Sequence, residues 1–252
     1  MKYVKNQIYE TYYKSSTIPK GTMAILGTIE SDACSYFGRH DSKFFNGEKL
    51  LKEIINKISF NNILDIGSGE GKQKQFFESA GKKVITCDFD LNSAPHCNNK
   101  INQYDYVGDF INLNFDKKFD FVFSSHVLEH QRNVGSFIDK KIEVTKENGY
   151  ICTIVPIRKP FITGGHPTMW NGGLLLYNFV LAGIDCSECY LEQNDYDICL
   201  VVKNKKFNIK EINLTYDRGD IDKLMPYFPF EKIEPFNGDI MKINTLWSED
   251  EN

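Results

Sequence analysis

The residues best equipped for chemistry are three glycines spaced two apart, Gly67, Gly69 and Gly71, directly after the apolar run Ile63-Leu64-Asp65-Ile66. Glycines let a backbone turn sharply and approach a ligand closely, and a helix starting just beyond offers unpaired N–H groups. The stretch therefore reads as a cofactor loop. A dinucleotide fingerprint G-x-G-x-x-G starting at Gly67 would need glycine at position 72, where the chain has Lys72. The pattern is D-x-G-x-G-x-G instead. A second apolar run, Val84-Ile85-Thr86-Cys87, ends in Asp88, and an acid at the end of a second strand can accept both hydroxyls of a ribose.

Elements of a particular kind are needed to place these groups. Leu50, Leu51, Ile54, Ile55 and Ile58 recur at helical spacing and predict an amphipathic helix ahead of the first strand. Strands are expected at about 61–66, 83–88, 104–107, 119–124 and 150–155. Helices are expected after the glycine loop to about Ala80, on the face made by Phe137, Ile138, Ile142 and Val144 until Glu147-Asn148-Gly149, and over 174–182. The last of these is apolar nearly all round and needs a cover, for which the aromatic-rich residues 1–46 are the expected source. Residues 189–191 and 197–202 read as two strands whose link is too short for a parallel crossover, so they must pair as an antiparallel hairpin.

Two further motifs follow in order: Gly108-Asp109-Phe110, and the strand 119–124 running into Ser125-His126-Val127-Leu128-Glu129-His130. With these four motifs the chain resembles the class I S-adenosylmethionine-dependent methyltransferases, most closely the type 11 small-molecule branch, over about residues 48–203. The resemblance implies a Rossmann-like, doubly wound, mostly parallel sheet of seven strands with one antiparallel strand. It implies that Gly67, Ser68, Gly69 and Gly71 pass beneath the methionine and ribose of the cofactor and that Asp65 supports the amino group through the loop. Asp88 and Phe89 would hold the ribose side, Gly108, Asp109 and Phe110 would flank the adenine, and Ser125 and His126 would line the methionine end. The organisation expected is an arm or lid over 1–46, a cofactor-binding core over 47–204 and an extension over 205–252 packed on that core.

Ligands of open α/β sheets bind outside the carboxyl ends of the strands, so segments 67–71, 88–90, 124–130 and 156–172 should converge. Methyl transfer from a sulfonium is an in-line displacement, for which alignment and exclusion of water matter most. An alcohol acceptor also profits from a base within hydrogen-bond reach, and His126, His130 and His166 fall at the right edges. Each has a plainer reading, as a cofactor contact, a helix-packing residue and a loop histidine bonded to backbone. Arg158 and Lys159 after the fifth strand, with Arg39 and His40 from the arm, favour an anionic or sugar-linked acceptor, and Tyr36 and Trp170 offer rings to pack on it.

A net charge of −4 over 252 residues gives no general attraction to phosphodiesters, which argues against a nucleic-acid partner. The segment Ser124-Ser125-His126-Val127 stands where base-amine methyltransferases carry an Asp/Asn-Pro-Pro-aromatic motif. Seven scattered cysteines, several in apolar runs, read as reduced core residues, and the longest apolar stretch is too short to span a bilayer, so a cytoplasmic protein is expected. Cys186 and Cys189 form a C-x-x-C without a second pair or a nearby histidine, and no metal is assigned. Abundant Lys, Asn and Ile point to an AT-rich bacterial genome and, by association, to surface-polysaccharide or tailoring enzymes. Alternative readings are transfer to RNA or protein, a domain that binds S-adenosylmethionine without transfer and, more remotely, a dehydrogenase.

Overall fold

A computed structural model describes residues 47–90, 104–194, 196–231 and 235–244. Its elements, in chain order, are α1 (Glu48–Lys57), β1 (Asn62–Ile66), α2 (Lys72–Ser79), β2 (Lys83–Asp88), β3 (Tyr106–Val107), β4 (Phe119–Ser125), α3 (Val134–Val144), β5 (Thr145–Pro156), α4 (Gly172–Leu181), β6 (Tyr190–Asn194), β7 (Asp197–Lys203), α5 (Asp220–Leu224) and β8 (Lys242–Asn244). The strands form one sheet in the order β3-β2-β1-β4-β5-β7-β6-β8. Pairings from β3 to β5 are parallel; β7 runs antiparallel to β5, and the β6–β7 hairpin is antiparallel as the short link required. The sheet exceeds the expected seven strands by one. Residues 242–244 pair antiparallel with β6 and make a second reversed strand, a non-local pairing that three residues of mixed character do not announce.

The central strands are buried on both faces, and their side chains alternate between two apolar layers. Val122, Ile151, Leu200 and Val202 face one layer, which α3 and α4 cover with Phe137, Ile138, Ile142, Leu176 and Phe179. Phe121, Phe123, Cys152 and Val201 face the other, covered by Leu50, Leu51 and Ile54 of α1 and Phe77 of α2. There Phe60 stacks on Phe121 at 4.5 Å between centroids, and Phe77 meets Phe121 and Phe123 edge-on. Cys87, Cys152, Cys186 and Cys199 are buried free thiols, as expected of reduced core cysteines, and Cys189 is buried with them.

α3 ends at Val144, earlier than the Glu147-Asn148-Gly149 signal implied, and runs directly into β5. The reason lies far along the chain. Asn204 is buried and donates its side-chain amide to the carbonyls of Ile142, Thr145 and Lys146, partners that the helix end would otherwise lack. The described cover of α4 comes from the C-terminal segment: Phe228 stacks on Tyr177, and Gly173 donates its N–H to Gly238 O at 2.7 Å. A methyl group on Gly173 would stand 2.6 Å from Gly238 Cα, so only glycine permits this approach. The expected arm, including Tyr36, Arg39 and His40, lies outside the described residues. No helix among the described residues is long and apolar enough to cross a membrane.

Candidate active site

Strand order reverses between β1 and β4, and the crevice opens where their carboxyl ends part. On the β1 side the glycine loop is held almost wholly by backbone. Gly67 donates its N–H to Cys87 O at 2.8 Å, Gly71 donates to Ser68 O, and Ser68 Oγ donates to Asp65 O. Gly67, Gly69 and Gly71 have φ of 70°, 49° and 76°, the left-handed region that side chains disfavour. A methyl group at Gly67 would lie 2.3 Å from Val127 Cγ2. Gly71 then becomes the N-cap of α2 with no side-chain cap, leaving the helix's first N–H groups for a ligand.

Asp88 ends β2 beside this loop, largely buried. Its Oδ2 accepts the N–H of Gly69 at 2.9 Å and its Oδ1 that of Phe89 at 2.7 Å, so the carboxylate is held rigid with acceptor capacity remaining on each oxygen. Tyr104, which sequence reasoning passed over, donates its hydroxyl to Gly69 O at 2.8 Å and pins the loop from the other side. Asp65 lies beneath, 1 % exposed, and burial pushes its carboxyl up to about 7.

Gly67, Gly69, Asp88, Phe89, Asp109 and His126 line a cavity of about 460 Å³, the size class of a cofactor site, and Val127, His130 and Gln131 complete its described wall. Phe89 is 72 % exposed, which leaves its side chain open to a ligand in the cavity it lines. Asp109 caps the turn at Phe110–Asn112 by accepting the N–H of Ile111. Ser68, Gly71, Gly108 and Ser125 support the rim without lining it. Phe110 departs from its expected place: its ring packs on Phe137 and Phe115 in the core, because a buried aromatic gains more there than against a half-open ligand. Two buried polar atoms near the glycine loop and the end of β4, Asp65 Oδ2 and Ser125 Oγ, have no hydrogen-bond partner among the described residues. A polar ligand carrying an amino group would suit both.

The β4 side is built from charged side chains. Lys141, fully buried in α3, donates to Ser124 Oγ, Cys152 O and Thr153 Oγ1, tying the helix under the ends of β4 and β5; burial lowers its pKa to about 7. His126, at φ 56°, places Nε2 2.9 Å from Asp197 Oδ1 and Nδ1 3.3 Å from Glu129 Oε1, and stacks on Tyr196. Burial would lower its pKa, yet the bonds to Asp197 and Glu129 outweigh this and raise it to about 9. With both nitrogens facing carboxylates, His126 has no free lone pair for an acceptor proton. Asp197 and Tyr196 belong to the tip of the β6–β7 hairpin, and nothing in their local sequence announced a place at the site.

The remaining expected residues divide between two places. His130 lines the cavity with Nδ1 2.7 Å from Gly165 O, and His166 packs edge-on against it at 4.7 Å between centroids. His166 itself lines a separate crevice with Lys159, Thr163 and Thr168, with room for little more than a water. Burial keeps its pKa below the ordinary histidine value. Arg158 pairs with Asp239, and Lys159 donates to the Tyr196 hydroxyl and lies over its ring. Trp170, expected as a wall for the acceptor, is instead 3 % exposed in the core, its indole N–H donated to Thr168 Oγ1, since an indole is best buried with that one donor satisfied. The ligand atoms of Glu129, His130 and His166 lie within 4.8 Å of one another, a grouping the sequence reading did not assign.

Comparison with known proteins agrees with this geometry. A family model described as "Methyltransferase domain" matches residues 64–153, the stretch from β1 to β5. Among solved structures, a SAM-dependent methyltransferase from Archaeoglobus fulgidus superposes with a TM-score of 0.50 at 17 % identity, covering 62 % of this chain and 91 % of that one. A SAM-bound amino pentose methyltransferase from Micromonospora echinaspora gives 0.51 at 14 % identity, covering 73 % and 100 %. The fold is therefore that of class I S-adenosylmethionine-dependent methyltransferases, and residues 64–153 match a methyltransferase domain. Curated relatives are similar to this chain over part of their length. A mitochondrial ubiquinone biosynthesis O-methyltransferase from Dictyostelium discoideum is 29 % identical over 163 residues, 58 % of this chain and 50 % of the relative. A malonyl-[acyl-carrier protein] O-methyltransferase from Calditerrivibrio nitroreducens is 28 % identical over 106 residues, 40 % and 42 %. The chain spans about half the length of the curated relatives it matches or less.

Proposed function

We propose that this protein transfers the methyl group of S-adenosylmethionine to an oxygen of a small-molecule acceptor. The observation that carries the cofactor half is Asp88, fixed by the amides of Gly69 and Phe89 at the rim of the cavity with acceptor capacity left for ribose hydroxyls. The sulfonium supplies an activated methyl group, and the chain's task is to hold and align it while excluding water. Gly67 and Gly69 leave room for the cofactor, Asp88 anchors its ribose, Phe89 and Asp109 flank its base, and Asp65 and Ser125 offer buried oxygens toward its amino end. Oxygen as the acceptor atom is supported by the two O-methyltransferase relatives.

For the acceptor we favour an anionic or sugar-linked metabolite of the cytoplasm, as in bacterial surface-polysaccharide assembly. Lys159 in the neighbouring crevice supports the charge preference and the composition supports the setting; the buried thiols of Cys87, Cys152, Cys186 and Cys199 suit a reducing compartment. A second reading, binding of S-adenosylmethionine without transfer, is favoured by one observation: both nitrogens of His126 are committed to carboxylates. Calorimetry with S-adenosylmethionine, S-adenosylhomocysteine and NAD tests the cofactor half; binding of NAD alone would overturn it. Release of S-adenosylhomocysteine in the presence of a panel of hydroxylated sugar phosphates separates transfer from mere binding.

A further inference from the structure

We propose that Glu129, His130 and His166 bind one divalent transition-metal ion at the wall of the cofactor cavity, leaving a coordination position for the acceptor oxygen. Binding of the ion stands on its own geometry, whereas the role toward the acceptor rests on the methyltransferase reading above.

Glu129 is the first observation. It is 1 % exposed; its Oε1 faces His126 Nδ1 at 3.3 Å, and its Oε2 has no hydrogen-bond partner among the described residues. A buried carboxylate oxygen left without a partner is costly, and such an oxygen is ordinarily hydrogen-bonded or bound to metal. Oε1 lies 3.8 Å from His130 Nε2, so carboxylate and imidazole face each other without bonding.

His130 is the second. Its Nδ1 stands 2.7 Å from Gly165 O, which can only accept, so Nδ1 carries a proton and Nε2, facing Glu129, is the nitrogen left for a metal ion. A metal-bound histidine is oriented in this way by donating its other N–H to a carbonyl.

The third is the frame that brings His166 in. Gly165, at φ 79°, turns the loop so that its carbonyl meets His130 while the next residue's ring packs on the same imidazole. Thr168 donates its N–H and Oγ–H to Glu129 O, lashing the loop to the backbone that carries the carboxylate.

Two imidazoles and one carboxylate suit zinc, cobalt or ferrous iron rather than magnesium or calcium. Ligand atoms about 2.0–2.1 Å from a tetrahedral ion lie roughly 3.3 Å apart, so the present spread of up to 4.8 Å closes by modest rotation of His130, which is exposed, and His166, which is half-buried. Three protein ligands leave a position open, and His130 lines the cofactor cavity. An acceptor hydroxyl held there would release its proton to solvent. Its oxygen would then attack the methyl carbon as the carbon–sulfur bond breaks, the electron pair passing to sulfur.

The test is a cobalt(II) titration of the chelator-stripped full chain, followed by visible d–d absorption. Expected are bands that saturate at one ion per chain and are displaced by zinc. His130→Ala and His166→Ala should each weaken binding by at least ~10–100-fold, the loss seen when mere outer-shell partners are removed. His166 does not line the cofactor cavity, so calorimetry with S-adenosylmethionine shows whether the His166→Ala protein is folded, and Glu129→Gln gives an independent third variant. Absence of the bands in the native chain, or equal cobalt affinity in the His166→Ala protein, would overturn the metal site. Cobalt binding without S-adenosylmethionine binding would keep the site and overturn only its role toward the acceptor.

Discussion

The two walls of the cavity are made in opposite ways. The glycine wall takes its shape from backbone: three left-handed residues, amide-to-carbonyl bonds, and one carboxylate, Asp88, clamped by two amides from loops close to it in sequence. The histidine wall takes its shape from charges brought together from three distant segments: His126, Glu129 and His130 after β4, Gly165 to Thr168 after β5, and Tyr196 and Asp197 from the hairpin tip. A backbone wall is generic and suits a constant cofactor, whereas a wall of side-chain ions can be altered residue by residue to suit an acceptor.

Substitutions on each wall should therefore fail differently. The largest effect is expected for Asp88→Ala, which removes the ribose anchor and frees the Gly69 amide. Cofactor binding should weaken by roughly 2–4 kcal/mol, given ~1.5–3 for each bond to a charged group with partial compensation by water. Calorimetry with S-adenosylhomocysteine measures this, and an unchanged affinity would mean the cofactor lies elsewhere.

Gly67→Ala attacks the same wall through its backbone. The new methyl group meets Val127 Cγ2 at 2.3 Å, at a positive φ, so stability should fall by about 1–3 kcal/mol in urea unfolding. Across the cavity, Asp197→Ala should cost a similar ~1–3 kcal/mol by stripping His126 of its closest partner, but with cofactor affinity nearly intact. Equal loss of cofactor affinity in Asp197→Ala and Asp88→Ala would show that the two walls do not act separately.

The smallest effect serves as a control at the opposite edge of the sheet. Burial would raise the Asp120 carboxyl, but the Lys146 ammonium and the amides of Asn62 and Asn61 outweigh it, so its pKa falls from 3.8 to about 2. Between those values the unfolded chain binds more protons, so stability rises with pH. The contribution is complete above the unfolded value and is lost as pH falls through about 2. Asp120→Asn should reduce stability at neutral pH by about 1–2 kcal/mol and flatten the acid limb of the unfolding profile, with cofactor binding unchanged.

Legibility in the sequence followed the same division. Strand β2 lies where Val84 to Asp88 placed it, and the hairpin had to be antiparallel because its link is short. Local steric and hydrogen-bonding needs write themselves into adjacent residues in such cases. Phe110 and Trp170 went the other way: both sit in motifs near the site, yet their rings are core, and no local rule distinguishes a ring that faces a ligand from one that faces a helix. The early end of α3 belongs with these, being set by Asn204 some sixty residues downstream.

The amino-acid sequence by itself determined the succession of elements from α1 to β7, the left-handed glycine turn and the carboxylate after β2, because each depends on neighbours a few residues apart. Only the tertiary structure decided that a hairpin tip would clamp His126, that Tyr104 would pin the glycine loop, and that Glu129, His130 and His166 would meet. The physical reason is that contacts between ions and rings depend on distances in space between segments whose separation along the chain carries no periodic signal.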